Sequence, residues 1–106
     1  MNQNIFEHHD TDANGNPAGG MTTGLGIHIV WQDGPLGRGV DRKDPNGAFV
    51  EGVIKAALGR LKFYQSTKFN CHWNAMAIQS LEGALDYLQA RTEDREKREV
   101  EGTHVV

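Results

Sequence analysis

Two apolar stripes at helical spacing, separated only by the short stretch "STKFN", constrain this chain more than any other feature. In "DPNGAFVEGVIKAALGRLKFYQ" the residues Val50, Val53, Ile54, Ala57, Leu61 and Tyr64 recur at the period that lines one face of a helix. Asp44 suits the N-cap of that helix, and Pro45 suits its first position, where a missing N–H costs nothing. After the break, Asn70 is placed to cap a second helix beginning near Cys71, with the stripe Asn74, Ala77, Ile78, Leu81, Leu85 and Leu88. So short a connection makes the two helices an antiparallel hairpin.

Before the hairpin, "LGIHIVW" alternates Leu25, Ile27, Ile29 and Trp31 with Gly26, His28 and Val30, the pattern of a half-buried strand. One strand cannot stand alone, so it must pair with another copy, with a strand drawn from the N-terminal residues, or with the Val105–Val106 tail. Residues 1–23 are rich in Asn, Asp, Gly and His without an apolar period and read as a flexible N-terminal arm, leaving 24–106 as a strand-plus-hairpin domain. The fold class expected is α+β, a short β-strand region followed by a long antiparallel α-helical hairpin. A chain of 106 residues has a limited core, so assembly as a homo-oligomer is the economical way to cover both stripes.

Charge and chemistry narrow the function classes. With 11 Lys plus Arg against 14 Asp plus Glu, the chain does not suit coating a DNA or RNA polymer or a membrane surface. Its one cysteine fits a reducing compartment, and no leader or membrane-length apolar run is visible, so a soluble intracellular protein is expected. His8, His9, His28, Cys71 and His72 lack zinc-site spacing, and Cys71 beside His72 does not form a nucleophile–base contact on one helix, so no metal, cofactor or catalytic residue is expected.

What remains suits holding an anionic, base-bearing ligand. "GPLGRGVDRKDPNG", residues 34–47, brings glycines that admit close backbone approach together with the planar forks of Arg38 and Arg42, although it matches neither a P-loop nor a full dinucleotide fingerprint. Phe63, Tyr64, Phe69 and Trp73 surround the hairpin turn, where a ring can stack a base, and Asn74 offers an amide edge. Each feature also has a plainer reading: the loop as a tight turn into a helix, the aromatics as hairpin-end core. Most of "RTEDREKRE" reads as a solvated helix end, but Arg91 follows the stripe and leans toward the packed side.

The stretches "WQDGPLG", "NGAFVE" and "RT-DRE…VEGTH", within a match over roughly residues 25 to 104, resemble the phage-encoded immune-signal sponges of the Thoeris anti-defence protein one type. Those sponges share a helical-hairpin domain with the anti-CBASS sponge family. The resemblance implies a homo-oligomer, often a hexamer, working in the cytoplasm of the infected bacterial host. It would bind cyclic nucleotide signals, cyclic ADP-ribose isomers or cyclic oligonucleotides, and sequester them uncleaved. The ligand would lie between subunits, touched by Tyr64, Asn74, Arg38 and Arg91, with Arg42 and the Thr103 and His104 of "VEGTH" completing the implied set. Two departures stand out. His72 and Trp73 occupy positions where more polar residues are expected, which would alter base preference, and Glu99 stands where Gly is usual, which would extend the helix and shift the "GTH" segment.

Two other classes stay open on sequence: a small hydrolase of the same cyclic nucleotides, with His28, His72 and His104 as its only general-base candidates, and a protein-binding inhibitor using the aromatic hairpin end.

Overall fold

A computed structural model describes residues 4–106, so the first three residues of the expected arm lie outside the described residues. The remainder of that arm is mostly strand. Strands β1 (Phe6–Thr11), β2 (Pro17–Gly24) and β3 (Ile27–Val30) form an antiparallel sheet in the order β1-β2-β3. The expectation of a flexible arm is thereby corrected: turn chemistry, rather than an apolar period, builds these strands. Asp12 closes the β1–β2 connection, its carboxylate accepting from the backbone N–H of Asn14 (2.9 Å) and Asn16 (3.0 Å). Gly20 holds φ near 136°, and a Cβ there would overlap the His8 carbonyl of the neighbouring strand.

Of the possible partners for the 25–31 strand, the one it finds is β2, drawn from the arm. Cross-strand rows Phe6–Thr23–His28 and His8–Met21–Val30 share one face; Glu7–Thr22–Ile29 lies on the other. On this second face Thr22 is buried and accepts a 2.8 Å hydrogen bond from Trp31 Nε1. Leu25, expected on the strand, instead sits in the β2–β3 turn and is exposed, because Gly26 with φ 73° reverses the chain there.

Helix α1 spans Val50–Gln65 and α2 His72–Lys97. The expected start at Asp44–Pro45 is corrected by where the backbone of 46–48 finds its partners. Gln32 Oε1 accepts from the N–H of Asn46 (2.8 Å) and Gly47 (3.3 Å), and Ala48 N–H donates to Val30 O (2.7 Å) while its carbonyl accepts from Gln32 N–H (3.0 Å). Ala48 thus bridges in parallel to Trp31, and groups held in a ladder cannot also open a helix. The cap of α2 is likewise Cys71, whose Sγ accepts from Asn74 N–H at 3.4 Å, while Asn70 Nδ2 donates back to Thr67 O.

The chain divides into two units: Met1–Phe49 with Val100–Val106, and Val50–Glu99. In the helical unit Ile54, Leu61, Ile78, Leu81, Leu85 and Leu88 are half-buried as the stripes require, yet Leu58 is the one buried apolar residue among the described residues. At the far end α2 does not run on through Glu99. It stops at Lys97, and Glu99 turns into the left-handed region with φ 59°, taking the conformation a helix-ending glycine would supply.

Candidate functional site

The glycine loop folds against the C-terminal segment of its own unit. Gly37 N–H donates to Gly102 O at 2.7 Å, Lys43 N–H closes the loop onto Leu36 O at 2.7 Å, and a short 3-10 turn covers Gly39–Asp41. Gly102, at φ 78°, has no room for a Cβ, which would overlap the Gly37 carbonyl. The two loop arginines meet at Glu101. Arg42 grips its carboxylate with both terminal nitrogens (Nη1 to Oε2 2.7 Å, Nη2 to Oε1 3.1 Å), and Arg38 Nη1 donates to its backbone carbonyl at 3.0 Å. Thr103 is half-buried beside them, its hydroxyl donating to Val100 O (2.6 Å), and exposed His104 lies 3.4 Å from Asn16 Nδ2. Of the expected ligand set, Arg38 and Arg42 therefore meet at Glu101, two residues from Thr103, whereas His104 approaches Asn16 of the β1–β2 turn instead. Sequence reasoning misses Glu101, since a lone Glu after a long charged run gives no sign of a partner 59 residues away.

In the helical unit the hairpin turn carries the aromatic group. Ser66 Oγ and Thr67 Oγ1 each donate at 2.6 Å to the carbonyls of Phe63 and Tyr64, which closes the end of α1. Gln65 and Cys71 then exchange hydrogen bonds across the turn (Cys71 N–H to Oε1 2.9 Å, Nε2 to Cys71 O 3.1 Å). The Arg60 guanidinium lies 4.9 Å from the ring centres of both Phe63 and Tyr64. Phe69 is 70% exposed and Trp73 78% exposed, so neither is hairpin-end core within this chain. Asn74 donates one amide hydrogen to Phe69 O at 3.3 Å. Its carbonyl oxygen and second N–H remain suited to the edge of a base stacked on the rings. The His72 ring packs edge-on against Trp73 at 5.4 Å, and the Cys71 thiol caps the helix by accepting from Asn74 N–H.

Arg91, also on α2, is exposed, and the half-buried positions on that stretch are Thr92 and Arg95. The expectation that Arg91 leans inward is corrected: the stripe's last half-buried leucine is Leu88, and one residue beyond the i+3 position the helix face already turns to Thr92. The helix is unbroken from His72 to Lys97, so the 17 positions between Asn74 and Arg91 correspond to about 25 Å of axis.

Electrostatically, Asp12 is perturbed. The hydrogen bonds from Asn16 N–H and its side chain, followed by that of Asn14, hold its carboxyl below the usual range. Among the described residues no cluster of three His, Cys, Asp or Glu side chains is close enough to ligate a metal ion, and no helix is long and apolar enough to cross a membrane.

Residues 25–93 match the family model described as the Acb2/Tad1 hairpin domain. The chain is also 51% identical over 76 residues to a protein of Bacillus phage SBSphiJ7 named Thoeris anti-defense 1, an alignment covering 72% of this chain and 51% of that protein. The chain therefore spans about half the length of this curated relative.

Proposed function

The chain belongs to the Acb2/Tad1 hairpin-domain family, and from that premise we propose that it is a phage anti-defence sponge, binding cyclic nucleotide immune signals between subunits of a homo-oligomer and holding them uncleaved. The name of the Bacillus phage relative supports the anti-defence role. The observation that carries the binding mode is the spacing of Asn74 and Arg91. A cyclic dinucleotide or a cyclic ADP-ribose isomer is far shorter than the roughly 25 Å between them, so one ligand touches both types of residue only where two copies meet. The exposed apolar residues agree with this: Phe63, Phe69, Trp73 and Tyr87 on the hairpin all lie open in a single chain, an arrangement typical of surfaces that associate.

In this reading Tyr64 and its neighbouring rings stack a base, Asn74 reads its edge, and Arg91 and Arg38 neutralise phosphate, with Thr103 and His104 contributing polar contacts. Trp73, wide and exposed beside Asn74, biases the preference toward bases offering a large stacking face. A sponge needs affinity rather than chemistry: competing with a nanomolar receptor requires a dissociation constant near 1 nM, about −12 kcal/mol. Charge-assisted forks, one or two stacked bases and a closed interfacial pocket supply contacts of that order. A hexamer is the expected assembly.

The test is a thermal-shift panel of cyclic di- and trinucleotides and cyclic ADP-ribose isomers, followed by denaturation of the complex and mass spectrometry of the released ligand. The expected result is a large stabilisation by one ligand class, recovered intact from an oligomer. A monomer of 11.7 kDa in light scattering refutes the intersubunit site, and release of a linearised nucleotide promotes the hydrolase instead.

A further inference from the structure

Arg42 already has an anion. Its fork is closed bidentately by Glu101, whose side chain is less exposed (21%) than that of Arg42 (43%). Glu101 also accepts from Arg38 through its backbone carbonyl, its carboxylate lies 4.0 Å from the same Arg38 Nη1 against 2.7 Å from Arg42 Nη1, and the next residue, Gly102, receives the Gly37 N–H. Arg42 Nη1 further leans on Gly37 O at 3.4 Å, so one arginine touches both strands of the contact. Residues 36–43 and 100–104 are thereby fastened at three successive points: a charged pair, a side-chain-to-carbonyl bond and a backbone bond.

We propose that Glu101 is a positioning residue: the Arg42–Glu101 clasp pins the C-terminal segment to the glycine loop, and the Glu101 carbonyl sets the aim of Arg38, so that Arg38 captures the ligand phosphate while Arg42 serves the clasp. This rests on the cyclic nucleotide reading above and deepens it, dividing two arginines of the same loop into a binding one and a structural one. Three features favour a clasp over a carboxylate that merely waits in a phosphate's place. The pair is bidentate and partly shielded. It is backed by a backbone hydrogen bond that no anion exchange would reproduce. Gly102 has no room for a side chain, which fits a close backbone contact built to stay closed. Fixing a loop beforehand lowers the ordering cost of binding, so the clasp acts on affinity without touching the ligand.

The two roles predict opposite signs. If Glu101 positions Arg38, Glu101→Gln weakens cyclic nucleotide binding by about tenfold, Glu101→Asp recovers part of the loss, and the swapped pair Arg42→Glu with Glu101→Arg restores most of it. If Glu101 competes with phosphate for Arg42, Glu101→Gln tightens binding and the swap abolishes it; either result overturns the proposal. Hydrogen exchange of the ligand-free protein gives a readout independent of any ligand: the Gly37 amide should exchange at least tenfold faster in Glu101→Gln and return to the wild-type rate in the swapped pair. An unchanged Gly37 rate refutes the clasp even where binding falls. Should the wild-type protein bind no cyclic nucleotide, the sponge reading fails, and the assignment of Arg38 as the phosphate contact falls with it.

Discussion

Gly47→Ala tests whether the segment before α1 is locked to the sheet edge. A Cβ at Gly47 would lie 2.5 Å from the Trp31 carbonyl carbon, 2.6 Å from its oxygen and 2.7 Å from Gln32 N. All three are backbone atoms, so no side-chain rotation relieves the overlap, and the 46–48 segment must move away from Trp31. That displacement breaks or stretches the two Ala48 ladder bonds and the pair of bonds into Gln32 Oε1. At about 1 kcal/mol for each of two to three bonds effectively lost, less about 0.5 kcal/mol from the stiffer unfolded chain, the net destabilisation is about 2 kcal/mol. Gly59→Ala is the matched control: Gly59 lies inside α1 with open space around it, so the same substitution should stabilise by about 1 kcal/mol. Urea unfolding followed by circular dichroism at fixed protein concentration reads both, with the midpoint expected to fall by about 0.7–2 M in Gly47→Ala and to rise by about 0.3–1 M in Gly59→Ala at slopes of about 1–3 kcal/mol/M. Hydrogen exchange should show the Gln32 and Ala48 amides losing protection in Gly47→Ala. A Gly47→Ala protein within about 0.5 kcal/mol of wild type would refute the placement of residues 46–48.

Glu99→Gly should stabilise by about 1 kcal/mol, since Glu99 holds φ 59° against its Cβ; thermal melts that show no gain would mean the strain is absorbed by interactions of the Glu side chain. The Asp12 carboxyl is held below the usual carboxylate range, so its contribution to stability is present above the unfolded-state value and lost as the pH falls through the lowered one. Asp12→Asn should therefore be less stable than wild type at neutral pH, and the difference should shrink in urea titrations carried into strong acid. Tyr64→Ala and Arg91→Ala should each weaken cyclic nucleotide binding by about 2 kcal/mol by calorimetry, while Lys97→Ala, on the exposed end of α2, changes it little; equal losses at all three misplace the site.

The hairpin was legible because helical periodicity is a local signal, and Val53, Ile54, Leu61, Ile78, Leu81 and Leu85 declare it without help from distant residues. Helix ends were less so. Asp44–Pro45 is a good start signal, but Gln32 claims the following N–H groups from fourteen and fifteen positions upstream, and no local rule anticipates that competition. Strands β1 and β2 escaped for another reason: their exposed face alternates Phe6 with His8 and Met21 with Thr23, and the glycines that let them bend look like loop composition. Of the candidate site, the residue types were readable and their grouping was not. Sequence placed Arg38 and Arg42 together, but that both meet Glu101 follows from contacts between chain segments some sixty residues apart.

The two tryptophans fall one to each unit, and in unlike surroundings. Trp31 is half-buried with its indole N–H on Thr22, whereas Trp73 stands open at the hairpin turn beside the His72 ring. In the single chain the two indoles therefore differ in surroundings, so Trp31 should emit at shorter wavelength and report the sheet, and Trp73 at longer wavelength and report the hairpin, with a blue shift of Trp73 marking any surface that covers it on association. With Trp31→Phe and Trp73→Phe versions, each unit's melting is visible by itself, and a nucleotide stacking at the turn would dim or shift the red component while leaving the blue one in place.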